Sequence, residues 1–73
     1  MKIIRFDRHA RRRMKWRKIS EEEVIATLTK PDNKELTVNG RTNAFKEIEG
    51  RNIKITYKET EKEMYIITAV IKK

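Results

Sequence analysis

At Pro31 the chain changes period. Before it, Val24, Ile25 and Leu28 recur at helical intervals; after it, Leu36 and Val38 alternate with Glu35 and Thr37, and Ile53, Ile55 and Tyr57 alternate with Lys54, Thr56 and Lys58. The first pattern lines one face of a helix and the second lines one face of a strand. A chain with this switch places its helices first and its sheet afterwards. The helix that ends at the switch is bounded on both sides. Ser20 and Glu23 form an S-x-x-E capping box, with Glu21 and Glu22 where a helix dipole favours negative charge, so the helix starts at Glu21. Pro31 disfavours helical geometry at Lys30, which stops it near Thr29.

Within the sheet half, turn residues set the strand boundaries. Asn39-Gly40 is the pair that a type I′ hairpin turn demands, and the next strand runs from Arg41 to Ile48. Glu49-Gly50-Arg51-Asn52 makes a second turn and the charged tip Glu59-Thr60-Glu61-Lys62-Glu63 a third. Met64 to Ile71 is apolar on both faces, the pattern of a central strand covered on both sides, with Thr68 a semi-buried hydroxyl. Upstream, Lys2 to Phe6 reads as a short strand leading into a first helix. The expectation is an α+β fold, β-α-α-β-β-β, with two N-terminal helices packed on one face of an antiparallel sheet. Ala10, Met14, Val24, Ile25 and Leu28 have no other apolar partner. Residues 1–73 form one domain, with no linker and no internal repeat.

The first helix holds the charge. Residues 1–18 carry nine Lys or Arg against one acid, Asp7, and thus the whole net charge of +8; from residue 19 onward acids and bases cancel. Asp7 can cap this helix, and no Gly or Pro interrupts it before Ile19. At about 100° per residue, Ala10 and Met14 share one side with Arg13 and Arg17 flanking them, while His9, Arg12 and Trp16 lie on another. A cationic surface with one histidine and one tryptophan suits a phosphate-bearing partner. Arg8, Arg11, Arg12 and Lys15 are the candidate phosphate contacts, since no acid in that helix neutralises them; Lys54 is a further candidate on the sheet. Trp16 either stacks on an unpaired base or packs in a core or interface. His9 either moves a proton or hydrogen-bonds backbone at the helix start. Arg13 and Arg17 either clamp a phosphate or pair with glutamates of the second helix or sheet while their stems cover Met14. Tyr57 packs in the sheet, with Lys54 and Lys58 beside it.

Other chemistries have no residues to carry them. There is no cysteine and one histidine, which leaves no zinc set, and the glutamate triplet is an ordinary helix start. No metal and no cofactor are expected. No long apolar run can span a membrane and no signal-peptide core follows Met1, so a cytoplasmic protein is the expectation.

The run His9-Ala10-x-x-Arg13-Met14-x-x-Arg17-x-Ile19-Ser20-x-x-x-Val24, with Pro31, Gly50-Arg51 before a strand ending at Tyr57, and Ile67-Thr68-Ala69, resembles a family of short uncharacterised bacterial and archaeal domains. These in turn resemble the RelE/ParE-like toxin superfamily. The resemblance implies a two-helix, antiparallel-sheet fold and an RNA-binding, toxin-type domain. It also implies RNA, including ribosome-bound RNA, as substrate and an acidic antitoxin as partner. His9, Arg13, Arg17, Arg51, Tyr57 and Thr68 fall on the pattern; Trp16, Arg11, Arg12 and Lys15 do not. The expected activity is metal-independent endoribonuclease cleavage, with His9 as base or acid, Arg13, Arg17 and Arg51 stabilising phosphate charge, and Tyr57 as a further candidate. The alternatives are a non-catalytic nucleic-acid-binding module and an interaction domain that docks an acidic protein segment.

Overall fold

Each helix begins where the sequence supplies an oxygen for its unpaired amides. The computed structural model describes residues 2–72. In it the Asp7 carboxylate accepts the His9 backbone N–H at 3.0 Å and opens α1, Arg8–Arg17. Ser20 Oγ accepts from the Glu23 N–H at 3.1 Å while the Glu23 carboxylate accepts from the Ser20 N–H at 2.9 Å, a complete capping box that opens α2, Glu21–Thr29. The stop of α1 is less ordinary. Lys18 takes a left-handed conformation, φ 55°, and its N–H reaches Lys15 O while the Ile19 N–H reaches Met14 O at 2.8 Å. Those two bonds satisfy the last carbonyls, and Ile19 and Met14 are both buried beneath them.

The strands are β1 (Ile3–Phe6), β2 (Asn33–Leu36), β3 (Thr42–Ile48), β4 (Arg51–Glu59) and β5 (Glu63–Lys72), in the sheet order β1-β5-β4-β3-β2. The α+β class and the two leading helices agree with the sequence reading. The sheet does not: it is mixed, because β1 runs parallel to β5, and four strands rather than three follow α2. A parallel pair needs a long crossover, and everything from α1 to β4 lies between these two strands, whereas β2 to β5 are joined by hairpins and so run antiparallel.

The type I′ geometry expected at Asn39-Gly40 is found at the second turn instead. At the β2–β3 connection only Gly40 has positive φ, 77°, and the Gly40 N–H donates to Thr37 O while the Thr37 N–H donates to Arg41 O, a three-residue loop closed by a glycine. The two-residue turn with both central residues at positive φ is Glu49-Gly50, φ 51° and 81°, between the paired Ile48 and Arg51. A type I′ turn therefore stands on a glutamate, held there by seven paired positions of β3 and β4.

One cluster forms the core: Ala10, Met14, Ile19, Val24 and Leu28 from the helical half with Ala44, Ile53, Ile55, Tyr57, Ile66 and Ala69 from the sheet. In α2 the buried stripe is Val24, Thr27 and Leu28. Ile25, expected in the core, is 43% exposed because it lies about 100° round the helix from Val24, and Thr27 takes the inward place with its hydroxyl donating to Glu23 O at 2.8 Å. In β5 only Ile66 and Ala69 are buried, so that strand is not sealed on both faces as its composition suggested. Its outer neighbour β1 pairs only with Glu63 to Ile66, and beyond that point α1 packs along it. The Arg17 guanidinium donates to Ala69 O at 3.0 Å there, serving a carbonyl that no longer has a strand beside it. Among the described residues no helix is long and apolar enough to cross a membrane.

Candidate nucleic-acid interface

The geometry of α1 separates its cations into two sets. Ala10 and Met14 are buried, which turns Arg8, His9, Arg12, Lys15 and Trp16 to solvent, and all five are exposed. Among the described residues none of Arg8, Arg12 and Lys15 has an ion-pair partner. Trp16 is 82% exposed. The end of this surface is anchored at Asp7. The Tyr65 hydroxyl donates to the Asp7 carboxylate at 2.6 Å and holds it below the usual carboxylate range, against the opposing effect of desolvation and with help from the His9 N–H. The same bond pushes the Tyr65 phenol up. The cap of α1 is thereby tied to β5, and the histidine side chain beside it is left outside.

The second set is paired or hydrogen-bonded to other elements of the fold. Arg11 donates to Glu21 at 2.6 Å and lies 4.7 Å from the centroid of the Phe6 ring, so an acid of the neighbouring helix pairs with it while its side chain stays exposed. Arg51 pairs with Glu23 and also donates to Lys18 O at 3.1 Å, closing the end of α1 against β4. Glu23 is held below its usual range first by the Ser20 N–H and then by Arg51, with desolvation acting the other way. Arg17 is half-buried on Ala69 O. Arg13 donates to Thr68 Oγ1 at 3.2 Å and stays exposed.

These placements divide the five residues read as catalytic. Tyr57 is completely buried, and its hydroxyl has no hydrogen-bond partner, which makes it a core side chain rather than a contact for phosphate. Arg51 sits at Lys18, nine residues along α1 from His9, or about 13 Å at the helical rise. Arg51, Arg17 and Tyr57 thus hold the fold together, while His9 and Arg13 share a surface with Arg12. Lys54 is half-buried, paired with Phe45 on β3 and Val70 on β5, and lies on the sheet face turned away from Ile53 and Ile55. What the sequence reading missed is which acid meets which arginine. Glutamates of the second helix were expected to pair with Arg13 and Arg17; instead Glu21 pairs with Arg11 and Glu23 with Arg51, while Arg13 and Arg17 bond Thr68 and the Ala69 carbonyl.

The class is a small α+β domain whose basic helix runs beside a five-stranded mixed sheet with one uncompensated cationic face. The chain belongs to the family described as Domain of unknown function (DUF4258), whose model matches residues 6–71. No curated protein and no solved structure matches it.

Proposed function

We propose that this chain is an RNA-binding domain of the RelE/ParE-like toxin type that holds its polymer on the outer face of α1. The observation that carries the reading is the set Arg8, Arg12 and Lys15: exposed cations on one helix, left without counter-ions in a fold whose other helix supplies them to Arg11 and Arg51. Such a surface attracts a polyanion and releases the small ions condensed on it. The toxin-type part rests on the resemblance and on two helices whose buried residues share one core cluster with Ala44, Ile53, Ile55 and Ala69 of the sheet.

The test is the salt dependence of binding to a labelled single-stranded RNA. Replacing Arg8, Arg12 and Lys15 together by Gln should lower the log-log slope by about 2, and so weaken binding about a hundredfold near ~0.1 M salt. Arg11→Gln, which removes an already paired charge, should leave the slope where it was. A triple variant with an unchanged slope overturns the reading.

A second reading, metal-independent cleavage, is favoured by one observation: His9 is exposed on this face, three and four residues from Arg12 and Arg13. A neutral imidazole would take the proton of a ribose 2′-hydroxyl, the oxygen would attack the adjacent phosphorus, and the 5′-oxygen would leave with a proton. The products are a 2′,3′-cyclic phosphate and a 5′-hydroxyl, with the guanidinium groups meeting charge on the non-bridging oxygens.

A further inference from the structure

We infer that Trp16 is a stacking platform for an unpaired base, so that the polymer taken by α1 is single-stranded; this rests on the RNA-binding reading above. Tryptophan is a residue that usually buries about 150–250 Å² of surface, yet this one, the only one in the chain, is 82% exposed. The fold has no use for it. The inward side of α1 is filled by Ala10 and Met14, and among the described residues the indole makes no hydrogen bond to another group.

Its two faces are also open. Among the described residues there are three cation–aromatic contacts, Arg5 over Tyr65, Arg11 over Phe6 and Lys72 over Phe45. None uses Trp16, although it lies one turn from Arg12 on the most arginine-rich helix of the chain. A flat apolar face flanked by unpaired cations matches the repeat of a nucleic-acid strand, a base beside a phosphate. A base within a duplex keeps its faces stacked against its neighbours, which leaves single strands, loops and bulges as the form that fits. An acidic protein segment would match the charges but not the setting. Protein hot spots sit in well-packed, fully desolvated pockets, and the helical neighbours of Trp16 are His9, Arg12 and Arg13, all exposed.

Because Trp16 is the only tryptophan, its fluorescence reports on this one site. The experiment titrates the protein at low salt with an adenylate dodecamer, with the same strand paired to its uridylate complement, and with polyglutamate, while anisotropy of labelled RNA measures occupancy. The single strand should quench the emission, and the duplex should leave it nearly unchanged at equal occupancy. Trp16→Ala should weaken single-strand binding about 5- to 150-fold with the salt slope preserved, and Trp16→Phe should restore most of the loss. Both variants should melt with the wild type, since an exposed ring holds up no core. Equal quenching by the duplex, or a Trp16→Ala affinity within about twofold of wild type while salt-dependent binding persists, overturns the stacking site and leaves the RNA reading standing. Binding to polyglutamate alone, or to nothing, overturns both.

Discussion

The two helices are neighbours of nearly equal length, ten and nine residues, and both are capped from their own sequence, yet they do opposite work. α2 carries three glutamates in its first turn, where the dipole favours them, and Glu21 and Glu23 reach out from there to Arg11 and Arg51. α1 has no acid in its first turn and sends its unmatched bases away from the core. The comparison teaches that the charge of α1 is not a single property. Arg11, Arg13 and Arg17 are each bonded to another element, whereas among the described residues Arg8, Arg12 and Lys15 have no ion-pair partner.

The sharpest way to break this division is to ask whether the outward set includes a reacting group. His9→Ala should slow cleavage of a labelled RNA about 100- to 10,000-fold, with binding nearly unchanged, because the cations on that face remain. The products should end in a 2′,3′-cyclic or 3′-phosphate, EDTA should have no effect, and a 2′-deoxy control should stay intact. Cleavage that persists in His9→Ala removes the histidine from the mechanism; tight binding with no cleavage, with or without ribosomes, reduces the surface to a binding module.

The inward set is tested through α2. Glu23→Ala removes half of the capping box and the partner of Arg51 together, and should cost about 2 kcal/mol, read as a fall in melting temperature of roughly 10 °C for a domain of this size. The carboxyl is also the source of a pH dependence. Its folded value lies below the ordinary 4.5, so its contribution is complete above that pH and is lost as the pH falls through the depressed folded value. Glu23→Gln should flatten the acid limb of a pH–stability curve between those two values. An unaltered acid limb would mean that the Ser20 N–H and Arg51 together hold the Glu23 carboxylate too weakly to act as structure.

The smallest effect has the opposite sign. Tyr57 is sealed in the core with an unpartnered hydroxyl, so Tyr57→Phe should leave the melting temperature unchanged or raise it by the equivalent of up to about 1 kcal/mol, with RNA binding unaffected. A variant that folds normally but no longer binds would return Tyr57 to the functional surface.

The local elements were legible in the sequence because their causes are local. Asp7, Ser20 with Glu23, and Pro31 start and stop the helices through contacts within a few residues of themselves, and the alternation in β4 follows from the two-residue repeat of a strand. The candidate interface was half legible: nine bases against one acid in the first eighteen residues mark the helix, and Ala10 with Met14 mark its inner side. What remained hidden depends on residues distant along the chain. Arg51 meets Glu23 across 28 residues, Tyr65 meets Asp7 across 58, and Arg17 finds a carbonyl of β5 exposed only because β1 stops short of it. Likewise the type I′ turn sits on Glu49-Gly50, where Ile48 pairs with Arg51, rather than on Asn39-Gly40, where the pairing of Leu36 with Thr42 leaves a connection too long for a two-residue turn. Sequence by itself determined the two helices, the alternation of β4 and that the positive charge lies at the front of the chain, while β2 falls at Asn33–Leu36 and leaves Val38 in the turn. Only the tertiary structure decided which of those charges are satisfied, because an ion pair depends on a separation in space that the order of residues does not specify.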